Sequence, residues 1–513
     1  MTTSSEVEKA PEPKETKRAE GEKSAAKNAK EERAEETKPK AKTPEKDLSM
    51  QETLSRMKAA HRKAGAPTYE KRIEWLDRLE TLTLKHKHEW AKAISDDFGN
   101  RSTHESLLAE IFIIHGGIKY ARDHLREWME IEPRDTGMVF MPARVELIPQ
   151  PLGVVGIISP WNYPVQLALA PLVGALAAGN RAMIKPSELV PATSALMKRI
   201  LGEYFESDEV AVFPGGVEVG AEFGKLPFDH LVFTGSTRVG KIVMRAAAEN
   251  LTPVTLELGG KSPTIVADDF SLTEAASVIM NGKLLNAGQT CIAPDYVMVP
   301  KAKLEPFVGA CKEAVAKMYP RLADNGDYTS IVNAQHYDRL QGYVTDAKEK
   351  GAKVVECNPA GEKLDPAKRK MLPTLVLSPS EETAVMQEEI FGPVLPVITY
   401  EKLDDAIDYV NDHARPLALY YFSHDSESID RVLENTITGG VSINATMLHI
   451  AQDDLPFGGV GPSGMGHYHA KEGFDSFTKK KPVFYQSRLN GAALLRPPYG
   501  KVIDFMLGLL IGK

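Results

Sequence analysis

From residue 48 onward the chain carries two hydrophobic rhythms, one after the other. The first has a helical period. In SMQETLSRMKAAHRKAG and YEKRIEWLDRLETLTLKHKHEWAKAISDDFG apolar residues recur at i, i+3, i+4 and i+7, which predicts amphipathic helices stopped by Gly65 and Gly99. SLLAEIFIIHGGIKYARDHLREWMEI continues the helical region. His86 and His88, two apart, point to different helix faces and read as surface histidines. Residues 133–150 read as extended segments bounded by prolines, a candidate hairpin.

The second rhythm alternates short apolar runs with helical stretches. Strands are predicted at 153–159, 181–186, 210–215, 230–235 and 254–260, with helices between them. A second set follows: PTIVAD, a helix running through SLTEAASVIMNGKLLNAGQ, YVMVP, the helix KLEPFVGACKEAVAKM, VLPVITY, the helix LDDAIDYVNDH, LALYYFS and GGVSIN. Strands alternating with helices imply right-handed crossovers and mostly parallel sheets covered on both faces. The fold class is therefore α/β, with two doubly wound domains and ligands expected at the carboxyl ends of the strands.

Composition changes this picture only at the ends. With 513 residues the chain is too long for one core. Residues 1–48 are almost devoid of large apolar side chains and read as a disordered charged tail. No secretory or transit signal is visible, and no apolar run approaches the roughly 20 residues that span a bilayer. The apolar end VIDFMLGLLIGK is expected to pack on the protein, with contact to a partner or a membrane surface left open. A net charge of −8 argues against general nucleic-acid binding. Three cysteines without metal or disulfide spacing fit a reducing, cytoplasmic setting.

The candidate chemistry is scattered. Cys291 stands in the turn between a helix and the strand YVMVP, where a thiol can be reached, although most intracellular cysteines are core. Cys311 reads as core, and Cys357 as structural or merely exposed. Glu257, late in an apolar strand, is either a salt-bridged structural acid or a base whose pKa is raised by burial. Asn162, after the first strand of the alternating set, is either a turn residue or an oxyanion donor. The fingerprint G-x-G-x-x-G is absent, but GSTRVG follows a strand and opens a helix. There Gly235 permits a tight turn and Ser236 can cap the helix beside a pyrophosphate. Lys185 and Glu188 could meet a ribose or phosphate, or be a surface charge pair. His467 and His469 lack a metal-ligand pattern, and no metal site is expected.

SPWNYP, IKPSE, FTGST, LELGGK, GQTC, EEIFGP and LPFGGVGPSGMG occur in the order seen in the aldehyde dehydrogenase superfamily. The chain resembles that superfamily from about residue 50 to 490. GQTCIAPDY and the segment from NATMLHI to GFDSF resemble its class 3 branch, most closely the bacterial coniferyl aldehyde dehydrogenases. The resemblance implies Cys291 as nucleophile, Glu257 as general base and Asn162 as oxyanion donor. It implies Glu389 and Phe391 as contacts of the nicotinamide ribose and ring, and Lys185, Gly235, Ser236 and Glu188 as further contacts of NAD, with NADP left open. It points to Tyr163 and Thr446 for substrate choice, and to homodimerisation through extended segments near 138–149 and 481–487.

Four functions compete at this point. An aldehyde, aromatic or medium- to long-chain, would be oxidised to the acid through a thiohemiacetal and a thioester. In a CoA-acylating dehydrogenase or acyl reductase a thiol would take the acyl group instead of water, but relatives of that kind generally lack a glutamate at the Glu257 position. A non-catalytic protein on this fold would not need all three implied catalytic residues. A cysteine hydrolase lacks a histidine partner and leaves the cofactor motifs unexplained. The expected division is a cofactor domain (49–132 and 151–257), a catalytic domain (258–443), oligomerisation and substrate-funnel segments (133–150 and 444–495, a small β element) and the apolar tail 496–513.

Overall fold

A computed structural model describes residues 48–491 and 496–512, so the expected charged tail lies outside the described residues but for its last position. The first helix, Met50–Ala64, opens on a reciprocal cap: Glu52 N–H donates to Ser49 Oγ, and Ser49 N–H donates to the Glu52 carboxylate. The single helix expected up to Gly99 is two, Tyr69–Lys85 and Lys87–Phe98, broken at His86. His86 is not a surface residue as expected. It is buried at this break, 2.6 Å from Glu89 Oε1 and edge-on to Tyr204. His88 is exposed.

The next helical stretch is also interrupted. A π turn at Leu107–Phe112 separates the short helix Thr103–Ser106 from Ile113–Trp128. A π turn inserts an extra residue and shifts the helix face. Here it carries Glu110, fully buried, towards the start of the helix Gln166–Ala177.

Sixteen strands are found among the described residues. The first two are β1 (Glu132–Arg134) and β2 (Arg144–Pro151). Five follow in the first alternating set: β3 (Val154–Ile158), β4 (Arg181–Lys185), β5 (Val210–Val212), β6 (His230–Thr234) and β7 (Val254–Glu257). The second set holds β8 (Pro263–Val266), β9 (Tyr296–Pro300), β10 (Lys353–Glu356), β11 (Thr374–Leu377), β12 (Val394–Tyr400), β13 (Ala418–Phe422) and β14 (Gly440–Ile443). The last two are β15 (Gly464–Met465) and β16 (Thr478–Tyr485).

They form three sheets. One has the order β15-β7-β6-β3-β4-β5, parallel but for the short β15. The second has the order β10-β11-β12-β9-β8-β13-β14, parallel but for β10. The order reverses on both sides of the first-formed strands, which defines a doubly wound sheet. The strands are buried almost throughout, which explains their continuous apolar runs. The third sheet, β1-β2-β16, is antiparallel and joins the predicted hairpin to a late strand, with Thr478 opposite Pro151 and Tyr485 opposite Arg144. The chain passes from the first sheet to the second between Glu257 and Pro263.

Two further expectations are corrected. The helix that begins at Leu272 ends at Leu284 and does not run through to Gln289, because Asn286 and Ala287 are left-handed, with φ of 52° and 51°. The apolar C-terminus does form a helix, Lys501–Ile511, but it does not pack: only Ile503 is buried, while Val502, Phe505, Leu509 and Ile511 are exposed. No helix among the described residues is long and apolar enough to cross a membrane. Cys311 is core as expected, and Cys357 is buried beside its strand rather than exposed.

Candidate active site

The turn that carries Cys291 is built from residues that sequence reasoning took for the end of a helix. Left-handed backbone costs a non-glycine residue roughly 1–2 kcal/mol, so two in succession need support. Asn286, fully buried, provides much of it. Its Nδ2 donates to the carbonyls of Asn162 and Gln289, both at 3.1 Å, and its own N–H donates to Glu105. Gln289 answers, donating through Nε2 to the carbonyls of Asn286 and Ser330 and accepting from Val332 N–H. Gly288, with φ of +76°, lies against the Gly392 carbonyl, where a Cβ would collide. The turn thus presents Cys291, half-buried, from a rigid base.

Asn162 is delivered to the same place by a second staple. Arg101 and Glu110 form an ion pair at 2.9 Å with both side chains fully buried. Arg101 also donates to the Asn162 carbonyl, and Glu110 accepts from the N–H groups of Val165 and Gln166, which fixes the start of the following helix. The Asn162 amide donates to the Gln289 carbonyl at 3.2 Å, two residues before Cys291. Arg101, Glu110, Asn286 and Gln289 were all missed from sequence. The one available signal was Asn beside Ala-Gly, since Asn tolerates the left-handed region better than most residues.

Glu257 ends β7, is buried, and has no hydrogen-bond partner for either carboxylate oxygen among the described residues. The salt-bridged alternative is therefore not what the structure holds. Gly458 gives it room, since a Cβ there would lie 3.2 Å from Glu257 Oε1. Burial raises its pKa well above the ordinary carboxylate range. Tyr468, between His467 and His469, is fully buried and within electrostatic reach of both Glu257 and Cys291.

Glu389 crosses over from the second sheet's side, and its carboxylate occupies the space where a Cβ at Gly259 would be. Burial pushes it up to about 8, with the charge of Asp295 adding to the effect. The Cys291 thiol is pushed up to about 12, by burial first and then by the charges of Glu389 and Glu257. At neutral pH the site therefore holds a thiol facing carboxyl groups of raised pKa. Such a thiol becomes a nucleophile only as its proton is moved to a base.

The cofactor candidates lie along the carboxyl ends of β4 and β6. Lys185, buried at the end of β4, has its Nζ 2.9 Å from Glu188, so the two are a pair, although only Glu188 is substantially exposed. Glu188 borders a cleft of about 600 Å³ that continues over Ser187, Pro191, Ser194 and Gly215. After β6, a Cβ at Gly235 would lie 2.6 Å from the Phe233 ring. Ser236 caps the helix Thr237–Ala248, accepting from Val239 N–H. Phe391, at φ 52°, sets its ring edge-on to Trp161 at 5.4 Å. A buried ammonium, a capped helix N-terminus and an orphaned Glu389 Oε1 at the far end form a donor set suited to an extended dinucleotide.

Tyr163 and Thr446, expected to choose the substrate, are both buried with their hydroxyls engaged. Tyr163 Oη is 2.7 Å from Thr290 Oγ1, under an Arg101 guanidinium 4.7 Å from its ring, and Thr446 Oγ1 donates to the Val278 carbonyl. Tyr163 thus braces the residue before Cys291. No cluster of metal-ligating side chains occurs among the described residues.

Known proteins resemble this chain over most of its length. The aldehyde dehydrogenase family description matches residues 24–483. A probable coniferyl aldehyde dehydrogenase of Caulobacter vibrioides is 54% identical over 462 residues, covering 88% of this chain and 95% of that protein. A coniferyl aldehyde dehydrogenase of Pseudomonas sp. is 50% identical, covering 89% of this chain and 95% of its own. The substrate-bound structure of Staphylococcus aureus AldH superposes with a TM-score of 0.85 at 38% identity, over 90% of this chain and all of that one. An indole-3-acetaldehyde dehydrogenase of P. syringae, solved with NAD+, superposes with a TM-score of 0.77 at 25% identity, over 85% of this chain and 88% of its own. The chain belongs to the aldehyde dehydrogenase family and is an oxidoreductase acting on aldehydes.

Proposed function

We propose that this enzyme oxidises an aryl aldehyde of the coniferyl type to its carboxylic acid, with Cys291 as nucleophile, Glu257 as general base and Asn162 as oxyanion donor. The observation that carries the proposal is the buried, unpartnered Glu257 carboxylate within electrostatic reach of a half-buried Cys291 on a braced turn. Cys291 Sγ adds to the aldehyde carbon as its thiol proton passes to the Glu257 carboxylate and on to solvent. The resulting oxyanion is held by the Asn162 amide and the Cys291 N–H, and removing one such donor costs about 3 kcal/mol in other enzymes. Loss of hydride from that carbon leaves a thioester on Cys291. Glu257 then takes a proton from a water that attacks the thioester, and the acid departs. Its raised pKa makes it a stronger base than an ordinary carboxylate, and its lack of a partner leaves an oxygen free for that water.

The cofactor supplies the hydride acceptor when bound. Lys185, Glu188, Gly235 and Ser236 are the residues we assign to its ribose and phosphates, and Glu389 and Phe391 to its nicotinamide end. Glu188 favours NAD by repelling a 2′-phosphate, while its pairing with Lys185 softens that repulsion and leaves NADP usable. We assign residues 49–132 and 151–257 to the cofactor domain and 258–443 to the catalytic domain. We assign 133–150 and 444–495 to the funnel and to homodimerisation, and the reducing cytoplasm to the enzyme's setting. The exposed helix Lys501–Ile511, about 16 Å long by its rise per residue, is left for a peripheral contact such as a membrane surface.

The test is acid formation from a panel of aromatic and aliphatic aldehydes with NAD or NADP, by wild type and Cys291→Ala. The proposal expects coniferyl-type aldehydes among the best substrates and no turnover in the variant. Turnover by Cys291→Ala would refute the mechanism. A requirement for CoA would favour the acylating alternative.

A further inference from the structure

The helix Ile113–Trp128 contains tandem glycines, Gly116 and Gly117, in its interior. Each costs such a helix roughly 1 kcal/mol relative to alanine, so the pair calls for a steric reason. Both face Asp453. A Cβ at Gly116 would lie 3.2 Å from Asp453 Oδ2, and one at Gly117 would lie 3.8 Å from Oδ1. Gly116 leaves room for that carboxyl group, whereas a Cβ at Gly117 would make only ordinary contact with it. Asp453 is half-buried and makes no hydrogen bond or ion pair among the described residues, whereas its neighbour Asp454 accepts from Tyr120 Oη. Burial raises the Asp453 pKa.

A second unsatisfied group lies across from it. The His469 ring stacks on Phe457 at 5.4 Å and meets Tyr468 edge-on at 4.5 Å, and its Nε2 is buried without a partner. Asp453 and His469 border one narrow cavity of about 30 Å³ whose other walls include Tyr120, Trp128, Val173 and Tyr468. That volume admits one or two water-sized groups. It suits the polar tip of a substrate, with the ring lying nearer the nucleophile. Tyr468 ties this cavity to the site, since it lines the cavity while its chain neighbour His467 and Glu257 Oε1 lie 2.8 and 3.2 Å from where a Cβ at Gly458 would stand.

Resting on the aldehyde-oxidising reading above, we infer that Asp453 and His469 are specificity-determining residues that recognise a phenolic hydroxyl remote from the aldehyde of an aromatic substrate. The hydroxyl donates to the Asp453 carboxylate and accepts from His469 when Nε2 carries the proton. An alkyl chain or unsubstituted ring entering the same space would cover both polar groups without pairing either, which is costly for a carboxylate above all.

The test compares kcat/KM for 4-hydroxycinnamaldehyde and cinnamaldehyde, with the acid products quantified by chromatography. Wild type should prefer the hydroxylated aldehyde by about 10-fold or more, as expected of a hydrogen bond to a charged group. Asp453→Leu should bring that ratio close to one. His469→Phe, which keeps the stacked ring, should lower it by several-fold. Equal efficiency towards the two aldehydes in wild type, or an unchanged ratio in both variants, would overturn the inference while leaving aldehyde oxidation intact. Oxidation of neither aldehyde would overturn the underlying reading and the inference with it.

Discussion

The Cys291 thiol feels the charges of two buried carboxyl groups, Glu257 and Glu389. Burial acts on each in the same sense, disfavouring the charged form. Two predictions follow from the signs. Glu257 must be ionised to activate water, so the deacylation rate should rise with pH through its raised pKa and then level off. Glu257→Gln should lose that limb while still forming the thioester, as read from pre-steady-state rates. Glu389, at about 8 in the folded protein, binds a proton that the unfolded chain has already released above the ordinary carboxylate range. Its contribution therefore erodes stability as pH rises from about 4.5 to 8 and becomes constant above that. Glu389→Gln should raise the Tm of the cofactor-free enzyme at pH 8 and flatten its pH dependence over that window. A Tm lower than wild type at pH 8 would contradict the burial argument. At this scale the sequence was informative about identity and blind to environment. Motif order pointed to Cys291 and Glu257, but a salt-bridged Glu257 could be set aside only once its orphaned oxygens were located.

The element that matters most is the turn between the helix Leu272–Leu284 and β9. Its shape depends on Asn286 and Gln289, which bond to chain segments far away in sequence. Helical periodicity runs on through NAGQ, and Asn beside Ala-Gly was the one local sign of the break: the partners that impose it come from Asn162 and Ser330. Asn286→Ala removes two buried side-chain hydrogen bonds and leaves two carbonyls without that donor. It should cost about 2 kcal/mol or more in denaturant unfolding and lower kcat more than it changes KM, because it is the position of Cys291 that is disturbed. Gly259→Ala makes the complementary test. The new methyl would displace Glu389, so KM for the cofactor should rise while Cys291 stays accessible to thiol reagents at the wild-type rate. The strands, by contrast, were legible almost residue by residue, since burial on both faces writes an uninterrupted apolar run.

Over the whole molecule, the alternation of strands and helices gave the α/β class, while the strand orders, the short β15 and the pairing of the extended segment near 481–487 as β16 were hidden. A two-residue strand such as β15 has no period, and β16 pairs across more than three hundred residues with the hairpin it completes. That third sheet leaves β16 at its edge, with Phe484 exposed on it and Met138, Val139 and Phe140 exposed on the hairpin connection. We expect this surface to make the homodimer contact. Light scattering should then give twice the 56.3 kDa chain mass. Phe484→Asp should shift the population towards monomer, and a wild-type monomer at micromolar concentration would contradict the assignment.

The central claim is that an acyl group passes through Cys291 and is released by Glu257. It is tested most directly by intact-protein and peptide mass spectrometry of Glu257→Gln after brief mixing with NAD and an aldehyde substrate. The account predicts one equivalent of reduced cofactor per active site and an acyl mass added on the peptide containing Cys291. Reduced cofactor without any acyl adduct, or an adduct on another residue, would contradict it.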